Sequence, residues 1–75
     1  MKYNETAWNI RIDYEAAREL GLTPKESRAR LRGAGIPYER LFPIDKKEEA
    51  LTTLGNVTQQ TGVPIEIYEC VLMYL

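Results

Sequence analysis

An all-α fold of four helices is what this sequence predicts, and three observations carry it. Apolar residues recur at spacings of three and four over much of the chain, glycines at 21, 33, 35 and 62 stand as stops, and capping residues stand at Asp13, Thr23 and Asp45. The predicted helices run over 5–20, 24–33, 46–61 and 64–75, forming one compact domain over 1–75.

Each element has its own reason. In residues 7–14, Trp8 and Ile12, and Ile10 and Tyr14, are four apart, so a helix over 5–20 with a bend at Asp13 fits the pattern. The same residues alternate, so a strand over 7–12 followed by a helix over 14–20, with Asp13 as its N-cap, is the alternative. Gly21 ends that helix. Thr23-Pro24-Lys25-Glu26 is a complete start signal: a capping residue, a proline at the first helical position and the glutamate of a capping box. Gly33 and Gly35 stop the helix over 24–33, and Ile36-Pro37 opens an extended connection with one helical turn at Tyr38–Leu41. Leu41, Phe42 and Ile44 are expected to close the bottom of the core.

Asp45-Lys46-Lys47-Glu48 repeats the capping logic ahead of a helix with the stripe Ala50, Leu51, Leu54 and Val57. Pro64 opens the last segment, which is apolar on nearly every side except at Glu66 and Glu69. A helix of that composition must bury most of its surface, and a homodimer is the simplest way to do so.

The totals exclude more than they assign. A chain of 75 residues buries only about 60% of its unfolded surface, and with Cys70 as its one cysteine it has no internal disulfide. With no histidine and one serine, Ser27, neither a Ser-His nor a Cys-His pair exists, and no His/Cys metal cluster forms. An enzyme is not expected, nor any cofactor or metal. No apolar run approaches the roughly 20 residues of a membrane span, and residues 1–5 lack a signal peptide's apolar core, so a cytoplasmic protein with no membrane partner is expected. Charge is uneven: residues 1–41 carry eight basic and six acidic groups, and residues 42–75 carry two and five.

The stretch from Glu15 to Arg32 holds the functional signal. Ala16 and Ala17 are small enough for a helix crossing, Leu20-Gly21-Leu22 makes an anchored turn, and Lys25, Arg28 and Arg32 form one basic stripe on the following helix with Ala29 beside it. Ser27, Leu31 and Ala34 fall on the opposite, inward side. This pattern resembles the helix-turn-helix superfamily, loosely including its excisionase-like and MerR-like winged members. The likeness covers under a third of the chain, and it departs from the pattern at Ser27 and Arg30, where apolar inward residues belong. The resemblance implies duplex DNA as partner, with Lys25, Arg28 and Arg32 in the groove and Thr23 and Arg30 on phosphate. The plainer reading is a helical hairpin with solvated charges, in which Glu26 pairs with Arg30.

A second copy of the outline, from Val57 through Gly62 into 64–75, would aim Ile65, Glu66, Glu69, Cys70 and Met73 outward. Carboxylates there repel a phosphate backbone, so this copy is a scaffold or contact surface. Ile65, Ile67, Cys70, Val71, Met73 and Tyr74 are its candidate dimer or partner interface. Beside Glu69, Cys70 lacks the cation that would activate a thiol. The tyrosines and Trp8 suggest base stacking, but they are scattered and not interleaved with Arg or Lys, so they read as core and interface residues, with Tyr38 and Arg40, near the basic helix in sequence, as the exceptions. The leading expectation is therefore a small dimeric DNA-binding regulator. Its rival is a helical adaptor or inhibitor that binds another protein.

Overall fold

The computed structural model describes residues 3–74 and overturns the all-α expectation. The order is β1 (Tyr3–Ile12), α1 (Tyr14–Glu19), α2 (Pro24–Gly33), β2 (Glu39–Pro43), a 3-10 turn (Ile44–Lys46), α3 (Lys47–Thr61) and β3 (Ile65–Tyr74). The strands form one antiparallel sheet in the order β2-β1-β3. The fold is thus α/β, with β1 at the centre.

Two of the predicted helices are corrected. Residues 3–12 are strand, and the helix behind them is the short α1 alone, which is the alternative allowed by the alternation of Trp8, Ile10 and Ile12. Residues 65–74 are also strand, so neither a C-terminal helix nor a second helix-turn-helix outline exists. The physical reason is mutual. Each of these segments is rich in β-branched and aromatic residues, and each is the other's partner over its whole length, from Tyr3 opposite Tyr74 to Ile12 opposite Ile65. An apolar run of this kind buries itself in a sheet as readily as in a helix. The predicted turn at Tyr38–Leu41 is likewise replaced by β2, which pairs Phe42 with Trp8 and Arg40 with Ile10.

The helical middle follows its local signals. The Asp13 carboxylate accepts from the Ala16 N–H at 3.0 Å and caps α1. Gly21 takes φ +85°, letting the Leu22 N–H reach the Ala17 carbonyl at 2.9 Å while its own N–H bonds Arg18 at 2.9 Å. The motif recurs after α2, where Gly35 at φ +71° brings the Ile36 N–H to the Leu31 carbonyl at 2.9 Å. At the start of α2, Thr23 and Glu26 make the capping box. The cap predicted at Asp45 does not form; the 3-10 turn leads into α3 without a side-chain cap.

All three helices pack on one side of the sheet. Ile12, Ala17, Leu22, Leu31, Val57 and Val63 make one buried cluster, and Ile10, Phe42 and Ala50 make a second beside it. Several predicted core positions lie elsewhere. Leu20 is 66% exposed, and Leu41, Ile44, Leu51 and Ala34 are also exposed. Leu22, not Leu20, anchors the turn, and of Leu41, Phe42 and Ile44 it is Phe42 that is buried in the core, while Ile36 packs half-buried against the first cluster.

Ser27 is fully buried, and among the described residues its hydroxyl has no hydrogen-bond partner. A buried hydroxyl without a partner costs about 1–3 kcal/mol, and alanine is the better helix former. Ser27→Ala is therefore expected to stabilise the protein by about 1 kcal/mol in urea unfolding. A loss of stability would show that the hydroxyl is satisfied.

Candidate nucleic-acid interface

The outward side of α2 is the first candidate. Burial of Ser27 and Leu31 fixes the rotation of the helix, which leaves Lys25, Arg28, Ala29 and Arg32 exposed. The Arg28 guanidinium lies 5.8 Å from the centre of the Tyr14 ring, and its Nη1 donates to the Tyr14 hydroxyl at 3.4 Å. Exposed Arg18 on α1 shares a shallow groove with Tyr14, Glu15 and Pro24. None of the stripe's cations forms an ion pair among the described residues, where Arg11–Glu66 is the pair found. The stripe is thus open to an anionic partner.

Two of the predicted phosphate contacts are placed elsewhere. The Thr23 hydroxyl donates to Glu26 Oε1 at 3.0 Å and accepts from the Glu26 N–H at 3.1 Å, so it is occupied in the cap. Arg30 stays exposed and reaches across to the end of α3, where its Nη1 donates to the Thr61 carbonyl at 3.1 Å. A cation on the last carbonyls of α3 satisfies an orphan acceptor and complements the helix dipole. That bond ties α2 to α3 and explains why an arginine stands where the helix-turn-helix pattern has an apolar residue. The Glu26–Arg30 pair is not formed.

The predicted interface residues are split by the alternation of β3. Ile65 and Ile67 face the helices and pack against the second cluster. Cys70 is half-buried on the other side of the sheet, opposite Ala7 in register. Val71 is 60% exposed. Of Met73 and Tyr74 the backbone register is described, opposite Asn4 and Tyr3; their side chains lie outside the described residues.

The helix-free face of the sheet was not anticipated. Its cross-strand rows read Glu39–Arg11–Glu66, Leu41–Asn9–Tyr68 and Pro43–Ala7–Cys70. Arg11 Nε donates to Glu66 Oε1 at 2.8 Å, and the guanidinium stacks 4.7 Å from the Tyr68 ring centre. The hydrogen bond to Glu66, and then the charges of its neighbours, hold Arg11 more firmly protonated than a free arginine. Asn9 is 4% exposed and donates to the Tyr68 hydroxyl at 2.9 Å, while its Oδ1 has no partner among the described residues. The signal for this face was the odd-numbered set Ala7, Asn9 and Arg11, which is legible only once residues 7–12 are taken as strand.

Comparison with protein-family models, curated proteins and solved structures finds no match. Among the described residues no three His, Cys, Asp or Glu side chains gather as a metal site, and no helix is long and apolar enough to cross a membrane.

Proposed function

We propose that the protein binds duplex DNA by laying α2 against the groove, as a two-fold pair joined along β3. The supporting observation is the set of three exposed cations on one side of α2, Lys25, Arg28 and Arg32, with the opposite side locked into the core by Ser27 and Leu31. The tight Gly21 turn holds α1 beside it, as a helix-turn-helix unit requires. Three cations per protomer give six phosphate contacts in a pair and a salt slope of about −5, so affinity for random duplex DNA should fall about a thousandfold between about 50 and 200 mM salt. That titration is the test. No binding at the lower salt overturns the reading.

The pairing surface is revised from a helix to a sheet edge. β3 is a ten-residue edge strand with no proline and no lysine, and such an edge is a template for another strand. Antiparallel pairing of β3 with its copy about an axis normal to the sheet keeps both sets of helices on one side. Centred on Cys70, it sets Glu69 against Val71 of the second copy and keeps like carboxylates apart. Val71→Lys places a charge at the exposed centre of this edge and is expected to convert a dimer into a monomer in light scattering. A wild-type monomer at about 100 μM, where even a weak specific interface would be populated, counts against the pairing. The rival reading, a protein-binding module, is favoured by this same edge, which also suits an extended segment of another protein.

A further inference from the structure

A second concave site lies apart from the α2 stripe, where the loop after α2 and the start of β2 face α3. It is a cleft of about 360 Å³, within the range of small-molecule sites. Ile36, Val57 and Ile65 form its apolar floor. Its polar rim is made by Tyr38 and Arg40 on one side and by Thr53, Asn56 and Gln60 on the other. The spacing of three and then four puts that last trio in one stripe along α3, beside the buried Ala50 and Val57. None of the five rim side chains is engaged in a hydrogen bond with another described residue.

The charge of the lining is one-sided. Its charged members are Arg11, whose guanidinium turns to Glu66 and Tyr68 on the helix-free face, and Arg40, which also borders the adjoining groove of Phe42, Glu48 and Glu49; no carboxylate lines the cleft itself. Arg11 is committed to Glu66, whereas Arg40 has no ion pair among the described residues; its guanidinium rests 4.9 Å from the Phe42 ring centre. Stacking on the ring holds the guanidinium while leaving its edge donors free for a planar anion. Amide groups on the facing helix supply neutral donors and acceptors that fix orientation without repelling negative charge.

We propose that this cleft binds a small amphipathic carboxylate: a compact apolar or aromatic body seated on Ile36, Val57 and Ile65, with its carboxylate on Arg40 and its edges met by Asn56 and Gln60. The site is independent of DNA binding, and its test is independent too. Amide NMR of the full chain is titrated with phenylacetate and separately with phenylacetamide, which has the same body without the charge. Saturable shifts are expected at residues 36–40 and 53–60, with a dissociation constant for phenylacetate of about 1–10 mM. Arg40→Gln should weaken phenylacetate about tenfold and leave phenylacetamide within about twofold. Gln60→Trp, which fills the mouth from an exposed helical position, should abolish both. Absence of saturable shifts up to about 50 mM overturns the site, as does saturation centred on the helix-free face of the sheet. Equal effects of Arg40→Gln on the two probes overturn the assignment of a carboxylate.

Discussion

Replacing Lys25, Arg28 and Arg32 together by glutamine is expected to lower affinity for random duplex DNA by at least about a thousandfold at about 50 mM salt and to flatten the salt slope from about −5 toward zero. The size follows from the counterions released by six neutralised phosphates in a pair. Because these side chains are exposed, and glutamine matches arginine and lysine in helix propensity, the fold should be unchanged by circular dichroism. An unaltered isotherm would remove α2 from the interface. Arg30→Gln is the contrasting variant. Arg30 donates to the Thr61 carbonyl, so its loss should lower unfolding stability by about 1–2 kcal/mol and leave the slope alone. If the two variants changed the slope equally, Arg30 would be a phosphate contact after all.

Ile12→Ala is expected to cost about 3–4 kcal/mol in urea unfolding. A chain of this length has roughly 4–11 kcal/mol in total, so the substitution removes from about a third to nearly all of its stability. Ile12 is 1% exposed on the central strand, in one cluster with residues from α1, α2, α3 and the turn that joins α1 to α2. Truncation there opens a cavity that four elements share, and the sheet backbone gives little room to collapse into it. Leu20→Ala is the control: its side chain is largely in solvent, and its loss should stay within about 0.5 kcal/mol. A cost for Ile12→Ala below about 1 kcal/mol would show that the cluster does not pack as one unit.

The contrast between the correct and the corrected elements has a physical basis. α2 was legible from Thr23 to Gly33 because its start and stop are made by residues within a few positions of one another: Thr23 with Glu26, Pro24, and the turn at Gly35. The basic stripe was legible for the same reason, since helical spacing alone puts Lys25, Arg28 and Arg32 together. The role of Arg30 was not, because its acceptor is the Thr61 carbonyl, far along the chain. The cleft combines Arg40 with Asn56 and Gln60 from separate elements, so no local pattern announces it; Tyr38 and Arg40 stand out in the sequence only as candidates for base stacking.

By itself, then, the sequence determined the capped helical middle, the turn at Gly21 and the charge of α2, all products of short-range backbone and side-chain chemistry. Whether its two apolar ends were helix or strand, only the tertiary structure decided. Their residues suit either form, and what settles the choice is the pairing of β1 with β3 across more than 50 intervening residues, from Ile12 opposite Ile65 to Tyr3 opposite Tyr74. A hydrogen-bonded ladder between distant segments leaves no mark in either segment alone beyond alternation, and where both faces carry apolar residues even that mark is faint.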